Sequence, residues 1–212
     1  MSVIVRIRRD DATRDVALVH DALASGDQRK ALMKVIGVRA EKELRAWFMK
    51  RDANSPNKEG WPRQHFWARL AKRTNFDPSK TTEDTATVAV SDPALAAKIN
   101  GATIRPTGAI SPATGKPIQN LAIPMQGAVY GVQPHANPIA GLFFIRKTNG
   151  NGGFLVTAEG EGKSQRLIFW YRLVPQVTVP KDPAALPPMD QLGAALGQTA
   201  QAYFRRHGGG EN

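Results

Sequence analysis

Between Asn100 and Ala140 the chain carries six prolines and five glycines. A segment so punctuated cannot supply a long helix or a central strand, because proline lacks a ladder donor and glycine weakens any element interior. It allows brief strands such as Leu121–Pro124, and the expectation is an extended arm or irregular loop over 100–140. The regular structure must therefore lie on either side of it.

Upstream, residues 2–8 alternate with period two, which predicts a short first strand. Val16, Val19 and Leu23 recur at helical steps after Asp10 and Asp11 and predict a short amphipathic helix ending near Ser25. From Gln28 to about Arg51, Leu32, Ile36, Ala40, Leu44, Trp47 and Phe48 follow one side at helical spacing, predicting a long basic helix. Gly37 near its middle costs about 1 kcal/mol relative to alanine. Residues 52–64 hold two prolines and a glycine and read as a connector, followed by a helical turn at His65–Leu70. Thr85–Val90 is β-branched and alternating, and Ser91-Asp92-Pro93 opens a helix over Ala94–Ile99.

Downstream, Leu142–Lys147, Gly153–Glu159 and Arg166–Val174 are strand-like runs joined by Asn149-Gly150-Asn151-Gly152 and Gly160-Glu161-Gly162. These joints predict an antiparallel meander. A Pro-punctuated tether, Val179–Pro188, leads to a last helix from Met189 to Arg206, with Leu192, Leu196, Ala200 and Tyr203 or Phe204 on its apolar face. Strands and helices do not alternate regularly. The expected fold class is α+β: an antiparallel sheet packed with a long N-terminal helix and a C-terminal helix, as one domain over residues 1–206 with a frayed tail at 207–212.

The 212 residues contain no cysteine, which removes disulfides, a thiolate nucleophile and sulfur-ligated zinc. Apolar runs stop at four or five residues, far below the roughly 20 that a membrane helix needs. Arg6, Arg8 and Arg9 interrupt the N-terminal segment before a signal sequence could form. A soluble protein made in the cytoplasm is expected. Formal charge is +11, and 18 basic against 10 acidic residues up to Lys80 put +8 of it in the first part of the chain. Such a balance suits an acidic partner, nucleic acid foremost. Yet the acidic residues are interspersed, and neither a helix-turn-helix nor a zinc-finger signature is present.

Gly162-Lys163-Ser164 ends like a phosphate-binding loop. The glycine required five places earlier is Thr157, and a strand follows where a helix should open, so a basic hairpin turn is the better reading. The four histidines are far apart and show no metal-ligand spacing. No nucleophile elbow or recognisable catalytic constellation occurs, so neither an enzyme nor a cofactor is expected. The most unusual stretch is Gly60-Trp61-Pro62 followed by His65-Phe66-Trp67, which holds two of the four tryptophans beside Lys58, Arg63 and Arg69. Trp61, Phe66 and Trp67 are candidates either for an interface anchor or base-stacking platform, or for closing the apolar end of the long helix. Arg6, Arg8 and Arg9 are the candidates to face DNA.

The segments AWFMKRDANSPNKEGWPRQHFW (Ala46–Trp67), TVAVSDPALAAKINGATIRP (Thr87–Pro106), LAIPM (Leu121–Met125) and VPKDPAALPP (Val179–Pro188), in that order, resemble the tailed-phage virion morphogenesis proteins. These are tail-completion or head–tail connector components related to the G protein of phage Mu. The resemblance spans about residues 28–206 and carries no active-site residues. It implies a structural protein forming a homo-oligomeric ring at the tail end or neck, made in the host bacterial cytoplasm and incorporated into the virion. Implied neighbours are copies of itself, the tail tube or tail terminator, and the head–tail connector, with non-specific contact to genomic DNA and none to membrane. The alternative, on charge alone, is a basic non-specific nucleic-acid-binding module.

Overall fold

The structure is a computed structural model that describes residues 3–8, 25–54, 61, 64–112, 114–136, 139–148 and 151–207. The predicted helix after Asp10 lies outside the described residues. Among the described residues, four helices and antiparallel sheets make the fold α+β, with a long N-terminal and a C-terminal helix. The chain divides into two compact units. One takes its residues from Met1–Ser55, His65–Asn100 and Lys181–Asn212, the other from Pro56–Gln64 and Gly101–Pro180. The second unit is thus drawn from two stretches of chain, and its main border at Gly101 coincides with the start of the Pro/Gly-rich segment.

The first unit is built on helix α1, Gly26–Asn54. Ser25 caps it, its Oγ accepting from Gln28 N at 3.3 Å, while Asp27 and Arg51 complement the dipole at its two ends. The helix begins two residues earlier and ends three later than the apolar spacing predicts. Leu32, Met33, Gly37, Ala40, Leu44 and Phe48 form its buried stripe, whereas Ile36 and Trp47 are half-buried flanks of it.

Helix α2, Phe66–Lys72, packs beside α1 and leads into strand β2, Thr74–Phe76, which the periodicity does not reveal because it is three residues long. Strand β3, Thr85–Val90, buries Ala86, Val88 and Val90 and half-buries the alternate positions. Strand β1, Val3–Arg8, completes an antiparallel sheet of order β1-β3-β2. Helix α3, Pro93–Asn100, starts at Asp92, whose Oδ1 accepts from Ala94 N at 2.9 Å. Helix α4, Met189–His207, returns to α1 and buries Leu192, Leu196 and Ala200 as its spacing predicts. Tyr203 and Phe204 both pack at its far end against Leu32 and Ala200. One apolar core joins α1, α2, the sheet, α3 and α4. Full burial of each large side chain in it contributes about 1.5–3 kcal/mol.

Of the stretch Val179–Pro188 read as a tether, the part from Lys181 on is packed in this unit. Asp182 N donates to Lys98 O at 2.8 Å and Ala185 is buried.

In the second unit, strand β4, Ala102–Ile104, pairs with strand β9, Val177–Val179. Strands β5 (Leu121–Pro124), β6 (Phe143–Arg146), β7 (Gly153–Glu159) and β8 (Arg166–Val174) form a four-stranded antiparallel sheet of order β5-β8-β7-β6. The predicted meander is β6-β7-β8. The Pro/Gly-rich stretch is thus partly paired: β4 and β5 both fall within it, and Ile110 bridges to Pro117. A bulge between Leu155 and Val156 of β7 and the facing Tyr171 and Phe169 of β8 leaves Trp170 as the extra residue. Its indole Nε1 donates to Thr157 Oγ1 at 3.0 Å.

Candidate functional site

The aromatic stretch is divided between the units. Trp67 and Phe66 belong to the first. Trp67 is 6% exposed, stacks on Phe48 with ring centroids 6.0 Å apart, and meets Phe66 edge-on at 5.0 Å. The guanidinium of Arg51 lies 4.1 Å from the centre of the Trp67 ring and makes a two-point contact to Asp182, Nη1 to Oδ1 at 3.2 Å and Nη2 to Oδ2 at 2.8 Å. Arg51 also donates to Ala184 O, as does Trp47 Nε1 at 3.2 Å. These groups fasten the 181–188 stretch to the C-terminal half of α1. Trp67 is therefore core, as its size favours, and its polar surroundings are occupied by structural bonds.

His65 is the one non-glycine residue with positive φ among the described residues, at 48°. Its Nδ1 lies 2.8 Å from Asp52 Oδ2, and Asp52 Oδ1 accepts from Ala68 N at 3.2 Å. The last turn of α1 thereby caps the first turn of α2 in place of a local side chain. Asp92, 2% exposed at its side chain, likewise accepts from Arg69 and Arg73 at 3.1 and 2.9 Å. These buried carboxylates serve helix starts. Among the described residues no three of His, Asp and Glu gather as metal ligands would.

Trp61 belongs to the second unit, half-buried, its ring 5.3 Å from that of Tyr130. Arg6 and Arg8 lie on β1 opposite Thr87 and Thr85, and Arg9 lies outside the described residues. Gly162–Ser164 is a single 3-10 turn at the tip of the β7–β8 hairpin, with Ser164 Oγ donating to Glu161 O at 2.8 Å. It opens into strand β8 rather than a helix.

What most distinguishes the molecule is where its apolar surface lies. Of eleven exposed large hydrophobic residues among the described ones, seven are in the second unit: Ile104, Ile110, Met125, Val132, Phe143, Phe144 and Leu167. The same unit fully buries only Val129, Val156 and Tyr171 among its described hydrophobic residues. Tyr171 reaches Val132 O through its hydroxyl at 3.1 Å, and Phe154 meets Phe169 edge-on at 5.2 Å.

The concentration peaks at β6, an edge strand whose adjacent Phe143 and Phe144 are 42% and 51% exposed. The ring of Phe144 lies across Gly153 of β7, 2.4 Å from where a β-carbon would stand. A sheet edge with free main-chain groups and exposed apolar side chains is a template for another strand, and covering side chains of this size gains free energy in proportion to the area removed from water. Sequence reasoning passed over β6 as a site because its edge position depends on strand order. The signal available was Phe143-Phe144-Ile145, apolar without alternation, followed at once by Arg146 and Lys147. No family model, no curated protein and no solved structure matches this chain.

Proposed function

We propose that this protein is a structural component of a tailed-phage virion, assembling with copies of itself into a ring at the tail end or neck. There it would complete the tail and join it to the head connector around the DNA channel, beside the tail tube or terminator. Two things support the reading. The ordered segments from Ala46 to Pro188 resemble the virion morphogenesis family, and the second unit carries a surface suited to burial against partners. The observation that carries it is the exposure of seven large apolar side chains on a unit with so small a core of its own. Large apolar side chains left exposed in such number on one unit suit burial against a partner. Heterologous contacts between copies close into a ring when their rotation closes.

The test is twofold. Electron microscopy of the purified protein, alone and with tail tubes, is expected to show closed rings. Particles of a phage lacking the protein are expected to have unjoined heads and tails. Infectious, fully joined virions without it overturn the proposal.

A second reading, non-specific nucleic-acid binding, draws on α1. Lys30, Lys34, Lys42 and Lys50 are exposed and make no ion pair with another described residue. Phosphate neutralisation by such a row predicts affinity that falls steeply with salt. Titration of labelled DNA at several salt concentrations tests it, and negligible binding near physiological salt removes it.

A further inference from the structure

We propose that β6 is a docking strand that pairs antiparallel with β6 of a second copy, about a two-fold axis through Ile145, extending the four-stranded sheet to eight strands. The proposal deepens the self-assembly reading and rests on it in taking a second copy as the occupant; being isologous, the contact joins copies in pairs, and a ring would need a further, heterologous contact between them.

The backbone identifies which groups are on offer. Phe143 pairs with Val156, and the register runs on through Arg146 opposite Gly153. Lys147 N then donates to Gly152 O at 3.3 Å. Hydrogen-bonded and non-bonded pairs alternate in an antiparallel ladder. Phe143, Ile145 and Lys147 therefore turn their main-chain groups toward β7, while Phe144 and Arg146 present N–H and C=O outward. No strand of the described residues takes them.

The opposite edge of the sheet is different. By the same alternation, with Met125 N bonded to Trp170 O at 2.8 Å, the outward residues of β5 are Ala122 and Pro124, and proline has no donor. One edge is blunted and the other is open, so the sheet offers a single strand, which favours an isologous pairing of that strand with itself.

The side chains select the occupant and the register. Two outward residues, 144 and 146, can form hydrogen-bonded pairs with their counterparts when Phe144 faces Arg146 of the second copy and Arg146 faces its Phe144. Four main-chain hydrogen bonds then form at once. Phe143 falls opposite Lys147 of the second copy, and Ile145 meets Ile145. Every ring opposes a cation, an attractive arrangement, and no like charges face each other. Sliding two residues one way would set Arg146 against Arg146, which like-charge repulsion disfavours. Sliding the other way sets Phe144 against itself and leaves Arg146 opposite Leu142, with no ring–cation pair. Of the devices by which an edge is kept from such contact, β6 lacks proline and a bulge but is short and ends in Arg146, followed by Lys147; in the proposed register each of these charges faces a ring of the second copy.

The chain has no cysteine, so one substitution provides a unique thiol. In the proposed register Ile145 and its twin form a non-hydrogen-bonded pair with Cα atoms about 4.5 Å apart, inside the disulfide range of about 4.4–6.8 Å. A thiol at 143 would lie four residues, about 14 Å, from its twin. Mild oxidation of Ile145→Cys is expected to yield mostly a disulfide-linked dimer on non-reducing gels, while Phe143→Cys stays unlinked. In parallel, Phe144→Lys is expected to raise the dimer Kd about tenfold, and Phe144→Lys with Arg146→Glu to restore it. If light scattering finds the unmodified chain associated while Ile145→Cys fails to link, or links no better than Phe143→Cys, β6 docking is overturned and self-assembly stands. If the chain is monomeric at every concentration and Ile145→Cys does not link, both fall. A double variant as weak as Phe144→Lys alone overturns the register.

Discussion

The ring of Phe76 lies directly on Gly37, with Cε2 only 2.2 Å from the point where a β-carbon would stand. Glycine in mid-helix costs about 1 kcal/mol against alanine, and here the cost is offset by the contact between β2 and α1. Gly37→Ala is expected to destabilise the first unit by up to about 2 kcal/mol, since overpacking of about 1–3 kcal/mol is only partly offset by the roughly 1 kcal/mol of regained propensity. Thermal unfolding checks the sign: a raised Tm would mean that Phe76 moves aside freely.

Asp52 joins α1 to α2 through His65 and Ala68 N. Asp52→Ala removes the cap and leaves the Ala68 amide without this acceptor. The expected loss is about 1–2 kcal/mol, measured by chemical denaturation. Asp52→Asn, which keeps one acceptor oxygen, should lose less.

Asp77 has its carboxyl held below the usual aspartate range. The main cause is the Ser79 hydroxyl, which donates to Oδ1 at 2.5 Å, followed by Ser79 N at 3.0 Å, with Lys80 Nζ 3.3 Å from Oδ2 adding to them. A carboxyl lowered in the folded state contributes stability above its unfolded pKa and loses it as pH falls through the folded value. A carbon-detected NMR titration should find Asp77 protonating at lower pH than a free aspartate. Ser79→Ala should move it back toward the ordinary range, with the backbone donor retaining part of the effect.

Trp67 and Trp61 should part company. Trp67 is enclosed by Phe48, Phe66 and Arg51, so Trp67→Ala is expected to cost about 3–5 kcal/mol. Trp61 is half-buried on Tyr130 in the other unit, and its loss should cost about 1–2 kcal/mol. Equal costs by denaturant unfolding would contradict this division.

Gly153 packs so closely under β6 that a β-carbon there would stand 2.2 Å from Ile145 O. Backbone cannot yield as a side-chain end can. Gly153→Ala should lift β6 from β7, seen as faster amide exchange over 143–147, with β7–β8 pairing retained.

The local patterns carried much of this molecule. Spacing located α1 and α4 to within a few residues, alternation located β3, and the Asn-Gly and Gly-Glu-Gly joints gave the β6-β7-β8 order, because each of these signals arises from a few neighbouring residues. Asp92 before Pro93 marked the start of α3 for the same reason. β2, β4 and β9 were not legible: three-residue strands have no period, and each exists only through its partner across a gap in sequence. Nor were the two units, since Lys181–Pro188 reads as a loose tether until Arg51 and Trp47 are seen bonded to it. Gly37 looked like a defect until Phe76 was placed on it. Sequence alone thus determined the longer helices and strands, a matter of near-neighbour periodicity and caps. Tertiary structure alone decided which strand became the open edge and which aromatic became core, because edges and burial are relations between residues far apart along the chain.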